Sequence, residues 1–152
     1  MIKITENKED IIKLWQESFG DSEADILYFI DNAKGAECLM MDSDGEPASM
    51  LYLVDCVVNG VKGKYIYAAC TAEKYRGKGL MTELLHYSYS LNYPFICLIP
   101  ANDGLIDYYT KRGLPYRFKI DEIIFHQTEE INEYLFEGYH LTAPVALMHK
   151  GE

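Results

Sequence analysis

Residues 69–81 read ACTAEKYRGKGLM, a glycine-containing loop between two stretches of different periodicity. Before it, Lys64–Thr71 (KYIYAACT) is rich in the aromatic and β-branched side chains that suit a sheet. After it, side chains recur at helical spacing, namely Leu80, Met81, Leu84, Leu85, Ser88 and Leu91. The segment therefore predicts a strand, a tight loop and a helix in direct succession.

The loop has the chemistry of an anion site. A helix N-terminus exposes unpaired backbone N–H groups and a partial positive charge, so phosphate binds well there. Gly77 and Gly79 remove side chains that would block an anion, and they let the backbone turn its N–H groups inward. Arg76 and Lys78 add positive charge. The glycine spacing fits neither a Walker loop nor a dinucleotide fingerprint, which leaves a pyrophosphate loop or a glycine turn without ligand.

Hydrophobic spacing on either side of this unit predicts the remaining elements. The predicted strands are Ile2–Thr5, Glu37–Met41, Ala48–Val58, residues 95–100 (FICLIP), Arg117–His126 and Leu141–Lys150. Four helices are predicted. The first carries Ile11, Leu14, Trp15 and Phe19 and ends at Gly20, and the second follows a Ser22 cap with its apolar side chains between Ile26 and Ala33. The third covers residues 102–111 after an Asn102 cap, and the fourth covers residues 129–137. This order predicts a single α/β domain over residues 1–152, with a mixed sheet and helices on both faces.

The composition predicts a globular protein of the cytoplasm. The 152 residues suit one domain, and the hydrophobic fraction of 49% favours a packed core. No apolar run approaches the ~20 residues that cross a bilayer, and the N-terminal MIKITENKED lacks the core of a signal peptide. Cys38, Cys56, Cys70 and Cys97 lie in or beside apolar runs without C-x-x-C spacing. We therefore expect buried free thiols and no metal site.

The charge is negative overall but unevenly distributed. Fourteen basic and 24 acidic residues give a formal net charge of −10, which argues against nucleic-acid binding. Residues 1–46 hold twelve acidic and four basic side chains. Residues 60–80 reverse the balance, with Lys62, Lys64, Lys74, Arg76 and Lys78 against Glu73. The sequence therefore predicts a local anion site in an acidic protein, and a cationic partner is compatible with that acidity.

Two motifs resemble a known family. TAEKYRGKGLM resembles the acetyl-CoA signature of the GNAT acetyltransferase superfamily, Q/R-x-x-G-x-G/A; Arg76 and Gly79 match it, whereas Met81 departs from it. Asn102, Tyr109 and Gly113 repeat the spacing of a second family motif. The resemblance extends from Met1 to about Lys150 and is greatest to a bacterial, Eis-like branch, of which this chain matches one domain.

The resemblance implies the fold, the cosubstrate and the site. The fold would be that of GNAT acyl-CoA acyltransferases, a central, mostly antiparallel sheet flanked by helices. The activity would be acetyl transfer from acetyl-CoA to a primary amine by direct attack on the thioester. The implied coenzyme contacts are Ala69, Cys70, Thr71, Arg76, Gly77, Lys78, Gly79, Leu80, Met81 and Asn102. Tyr109 would protonate the departing thiolate, and Ala69–Thr71 would splay from its neighbouring strand to offer N–H groups to the oxyanion.

Several alternatives stay open at this point. The general base is Glu73, Tyr67, Asp121, Glu122, His126 or ordered water. Cys70 as a nucleophile is disfavoured because no histidine is placed to activate it. The acceptor is a polyamine, an aminoglycoside-like sugar or a protein amine, and the acidic N-terminal region favours a small cation. A non-catalytic module that binds acyl-CoA or a protein partner is the second interpretation, and a homodimer is compatible with the sequence.

Overall fold

The computed structural model describes residues 1–151 as one sheet with helices on both faces. The strands are β1 (Ile2–Thr5), β2 (Ala36–Ser43), β3 (Glu46–Val58), β4 (Val61–Thr71), β5 (Phe95–Leu98), β6 (Tyr116–Phe118), β7 (Ile123–Ile124) and β8 (Ala146–Lys150). The helices are α1 (Lys8–Phe19), α2 (Glu23–Asn32), α3 (Leu80–Ser90), α4 (Asp103–Thr110) and α5 (Glu129–Leu135). Among these residues, no helix combines the length and apolarity that crossing a membrane requires.

The sheet is mostly antiparallel, as predicted. Its strand order is β1-β2-β3-β4-β5-β8-β6, and β7 pairs separately with β3. The pairing of β4 with β5 is parallel, because α3 carries the chain from the end of one strand back to the start of the next. All other strand pairs within residues 1–151 are antiparallel. The predicted mixed α/β fold is confirmed.

Both faces of the sheet are buried, which explains why β3 is an almost continuous apolar run. On one face, Trp15 of α1 and Phe29 of α2 join a core cluster with Met50 of β3. On the other face, α3 packs Leu84 and Leu85 against a second cluster that contains Leu39 and Leu51. Successive side chains of a strand point to opposite faces, so alternate residues of β2 and β3 feed the two clusters.

The predicted strand Arg117–His126 is wrong, because the chain breaks there into two short strands. β6 pairs with β8, whereas β7 pairs with the far end of β3. One straight strand cannot reach both partners, so a 3₁₀ turn at Ile120–Glu122 redirects the chain between them. The final strand is also shorter than predicted, since β8 begins at Ala146 rather than Leu141. Asp103 accepts hydrogen bonds from the Thr142 backbone N–H (3.0 Å) and its hydroxyl, and these tie that segment to α4 instead.

Two predicted core side chains are exposed. Phe19 is the last residue of α1, and 47% of its surface is accessible. Leu91 follows the last residue of α3 and is 37% exposed. Each lies at a helix end, where the helical spacing continues beyond the surface that packs on the sheet.

Candidate active site

A β-bulge reshapes β4 just before the predicted loop. Met50 pairs with Cys70 and Tyr52 pairs with Tyr67, so Ala68 and Ala69 together face one residue of β3. Ala68 has a φ of 53°, in the left-handed region. That conformation costs a non-glycine residue roughly 1–2 kcal/mol, which the surrounding sheet must offset. A bulge redirects the strand that contains it, and here it turns the end of β4.

Beyond this point β4 has an open edge. In its parallel pairing with β5, Lys64 lies opposite Ile96 and Tyr65 lies opposite Cys97. These are the last pairs between β4 and β5 among the described residues. β4 nevertheless continues to Thr71, while β5 ends at Leu98. The β5 side of residues 67–71 therefore has no neighbouring strand. This separation lies where the family resemblance predicts it.

The loop after β4 places two glycines in the left-handed conformation. Gly77 and Gly79 each have a φ of 79°, and Gly79 is the N-cap of α3. A Cβ atom built at either glycine would meet no other atom within 4 Å. The backbone conformation, and not crowding, therefore explains glycine here, and the face of the loop is open to a ligand.

The loop presents an unbroken row of free backbone donors. The first helical hydrogen bond of α3 runs from the N–H of Glu83 to the carbonyl of Gly79, at 3.1 Å. Within residues 1–151, the N–H groups of residues 77–82 have no acceptor. Six successive donors at a helix N-terminus form a concave cradle for an anion.

The predicted basic patch is partly neutralised. Lys64 pairs with Asp55, and Lys74 pairs with Glu46. The Nε of Arg76 donates to the Thr71 carbonyl at 3.0 Å, which ties its side chain back to β4. Lys78 makes no salt bridge within residues 1–151, and its Nζ lies 5.4 Å from the centre of the Tyr75 ring. Lys78 and the terminal nitrogens of Arg76 are therefore the cationic groups of the loop that are available to an anion.

Two carboxylates hold the turn that leads into the loop, and no pattern in the sequence indicates either one. Glu46 accepts hydrogen bonds from Lys74 and from the Tyr75 hydroxyl at 3.0 Å. These contacts, Lys74 first, lower the pKa of Glu46. Glu17 of α1 accepts from the backbone N–H of Glu73 at 2.7 Å. The separations in sequence are too long for any local pattern to have signalled these contacts.

Met81, the departure from the family motif, does not obstruct the loop. Its side chain is 8% exposed and packs into the second core cluster with Leu84 and Leu85. Only its backbone N–H belongs to the row of donors. A large side chain is tolerated because it points to the sheet rather than to the ligand face, and neighbouring Leu80 is likewise half-buried against the core.

α4 carries the second predicted pair. Asn102 is its N-cap, and its Oδ1 accepts from the Leu105 N–H at 3.1 Å. Tyr109 packs against the second core cluster, and its hydroxyl has no hydrogen-bond partner within residues 1–151. Burial, followed by the nearby Tyr108 and Cys70, raises the pKa of Tyr109 to about 12. A phenol without a protein partner thus lies close to the open end of β4. The adjacent Tyr108 is half-buried, and the guanidinium carbon of Arg112 lies 3.7 Å from the centre of its ring.

Cys70 is a structural thiol. Its Sγ donates to the Leu14 carbonyl at 3.7 Å, and burial raises its pKa to about 12. A thiol protonated at neutral pH is a poor nucleophile. All four cysteines are buried and free, as predicted. Within residues 1–151, no group of three or more potential metal ligands converges.

The candidate bases are scattered. Tyr67 directly precedes the bulge, so it lies beside the open edge of β4. Asp121 and Glu122 lie in the turn before β7, next to the opposite end of β3, and His126 lines a separate cavity there.

A larger cavity of about 440 Å³ lies between β1, α1 and α2, and none of residues 69–81 line it.

The family of the chain follows from a sequence match. A model of the acetyltransferase (GNAT) domain matches residues 3–117. The chain therefore belongs to the GNAT acetyltransferase family. No curated protein sequence matches it.

Solved structures share the fold at low identity. An acetyltransferase from Corynebacterium glutamicum ATCC 13032, described as histone acetyltransferase HPA2 and related acetyltransferase, is 13% identical with a TM-score of 0.73, covering 100% of this chain and 96% of that one. A GNAT acetyltransferase from Staphylococcus aureus Mu50 is 14% identical with a TM-score of 0.63, covering 99% of both chains. A fungal multi-domain GH3 beta-N-acetylglucosaminidase with a GCN5-related glucosamine N-acetyltransferase region is 17% identical with a TM-score of 0.63. The match covers 75% of this chain but only 17% of the fungal one.

Proposed function

We propose that this protein is an acetyl-CoA-dependent N-acetyltransferase that moves the acetyl group to a primary amine. The observation that carries the proposal is the row of free N–H groups at residues 77–82, next to the open edge of β4. The row suits a pyrophosphate, and the strand edge suits an extended arm that contains amides. Coenzyme A contains both a pyrophosphate and an arm with amides. The two lie next to each other in the molecule, as the loop and the strand edge do in the protein.

The coenzyme contacts are divided among three parts of the site. Ala69, Cys70 and Thr71 offer backbone groups to the arm and to the acetyl carbonyl. Arg76, Gly77, Lys78, Gly79, Leu80 and Met81 surround the phosphates, mainly through backbone N–H groups and the Lys78 ammonium. Asn102 uses its Oδ1 as a helix cap, which leaves its amide N–H₂ for the arm.

The chemistry is a direct transfer. The neutral amine nitrogen attacks the thioester carbon and forms the C–N bond, while backbone N–H groups of β4 stabilise the oxyanion. When the C–S bond breaks, Tyr109 donates its proton to the thiolate, and the ammonium formed in the attack loses a proton that returns to Tyr109 through water. The high pKa of Cys70 supports this route over an acetyl-cysteine intermediate. Burial raises the pKa of Tyr67, so its hydroxyl stays protonated at neutral pH, and ordered water is the candidate base that this proposal retains.

The acceptor in this proposal is small and cationic. The acidic first 46 residues support that choice, because an acidic surface attracts cations. A protein amine is the alternative acceptor. An Eis-like origin, a bacterial source and a cytoplasmic location stay predictions from the sequence.

Calorimetric titration with acetyl-CoA tests the binding step. We expect saturable binding that Lys78→Ala weakens and Lys62→Ala leaves unchanged, because Lys62 is an unpaired lysine outside the loop. Absence of binding at millimolar coenzyme would refute the proposal.

Mass spectrometry then tests the transfer step. A panel of diamines, amino sugars and lysine peptides is incubated with protein and acetyl-CoA, and each amine is examined for a gain of one acetyl group. Coenzyme binding without acetylation of any amine would favour a non-catalytic acyl-CoA-binding module.

A further inference from the structure

A cluster of aromatic rings borders the open edge of β4. The Tyr67 ring lies 5.7 Å from Trp15 and 5.0 Å from Phe29, measured between centroids, and Tyr134 of α5 lies 5.9 Å from Phe29. Trp15 and Phe29 are buried, whereas Tyr67 and Tyr134 are half-buried and form the outer side of the cluster. The Tyr67 hydroxyl has no hydrogen-bond partner within residues 1–151. The hydroxyl is therefore free to contact a ligand on the outer side of the cluster.

Two carboxylates flank this outer side. Asp21, in the α1–α2 connection, accepts from the Trp15 Nε1 at 2.8 Å, which fixes it beside the rings. Glu137 follows α5, and its N–H donates to the Tyr134 carbonyl at 3.4 Å. After burial, Asp21 and then Glu137 are the causes that raise the pKa of Tyr67. Neither carboxylate forms a salt bridge within residues 1–151, so both charges are available to a cation.

The cluster is close to the reaction centre but not at it. Tyr67 directly precedes the bulge, and the donors proposed for the oxyanion begin two residues later at Ala69. Two residues of extended chain span roughly 7 Å, and the left-handed Ala68 brings the two Cα atoms closer than that. A ligand group at Tyr67 is therefore about one short aliphatic chain away from the acetyl carbon.

The charge of the cluster is wrong for the attacking nitrogen. Carboxylates and aromatic faces stabilise an ammonium ion, whereas the amine must be neutral to attack. We infer that the Asp21–Tyr67–Tyr134–Glu137 cluster binds a second amine of the acceptor, one that stays protonated at neutral pH, so that the substrate class is diamines and polyamines. This inference rests on the proposed acetyl transfer, and it names the acceptor that the transfer requires.

Diaminobutane and butylamine form a matched pair of probes, because they differ only in the distal amine. We expect the wild-type protein to acetylate diaminobutane with a higher kcat/KM than butylamine. Asp21→Asn and Glu137→Gln should each reduce that preference about tenfold, the loss of one charge-assisted contact, and should act mainly through the KM of the diamine. The kcat/KM of butylamine should change little in both variants.

Controls separate recognition from folding. Glu23→Gln and Glu133→Gln remove exposed carboxylates from the same two regions, and we expect them to keep the wild-type preference. Tyr67→Phe retains the aromatic face and should keep most of the preference, whereas Tyr67→Leu should lose it. Acetyl-CoA titration of every variant should give the wild-type affinity.

The outcomes distinguish this inference from the function on which it rests. Failure of the wild-type protein to bind acetyl-CoA would refute the proposed function itself. Normal coenzyme binding with equal kcat/KM for the two amines, or with a preference unaffected by Asp21→Asn and Glu137→Gln, would overturn the inference and leave the proposed function in place.

Discussion

Replacing Tyr109 by Phe removes one hydroxyl and changes little else. That hydroxyl has no protein hydrogen bond within residues 1–151, so its removal leaves no orphaned partner. The ring stays packed against the second core cluster. We therefore expect the folded state of Tyr109→Phe to be nearly as stable as that of the wild-type protein at pH 7.

The kinetic effect should be large. Loss of a positioned proton donor lowers a rate by roughly 10²–10⁴-fold, which corresponds to about 3–5 kcal/mol of transition-state stabilisation. Because the pKa of Tyr109 is raised to about 12, about one phenol in ten thousand is ionised at pH 8. The ratio of wild-type to variant kcat should therefore be constant from pH 7 to about pH 10.

The assay is the release of free thiol from acetyl-CoA in the presence of a saturating amine, measured across that pH range. Thermal unfolding of both proteins provides the control for folding. An unchanged kcat in Tyr109→Phe, or a ratio that varies with pH below 10, would contradict the role as proton donor.

Four further predictions follow from single contacts. Gly79→Ala should cost about 1–2 kcal/mol of unfolding free energy, measured with denaturant, because its φ of 79° is strained for alanine although its Cβ would meet nothing. Gly63→Ala should cost about 1–3 kcal/mol or more for the opposite reason, since its Cβ would lie 2.5 Å from the Phe95 ring. Glu46→Gln should weaken acetyl-CoA binding in calorimetry by loosening the turn at Tyr75; an unchanged affinity would exclude that role. In alkali, the unfolded Tyr109 ionises near pH 10 and the folded one near 12, so the unfolded state binds fewer protons and stability falls by about 1.4 kcal/mol per pH unit between them. Tyr109→Phe should lack this part of the loss in pH-dependent unfolding.

The strand–loop–helix unit was predictable because its determinants are contiguous. Gly77 and Gly79 specify the backbone conformation, and the side chains of α3 have the spacing of a helix. The same holds for the caps at Ser22 and Asn102, whose side chains bond to backbone groups three residues later.

Other features depend on partners that no local pattern reveals. Ala68 has no preference for a positive φ, and it adopts one because the register of β3 leaves an extra residue in β4. The segment predicted as one strand after Arg117 divides because its two ends pair with different strands. Glu46, the first residue of β3, supports the loop through a contact with Tyr75, 29 residues away.

The short junction between β4 and β5 divides the sheet into two mechanical parts. One part contains β1 to β4 with β7, and the other contains β5, β6 and β8. A coenzyme in the gap would bridge them, so its binding would stabilise the fold as well as supply the acetyl group. A ligand at a hundred times its dissociation constant adds about 2.7 kcal/mol to the free energy of unfolding. Resistance to heat and to proteases would then rise and fall with the concentration of the acetyl donor. The lifetime of the folded protein would depend on that concentration.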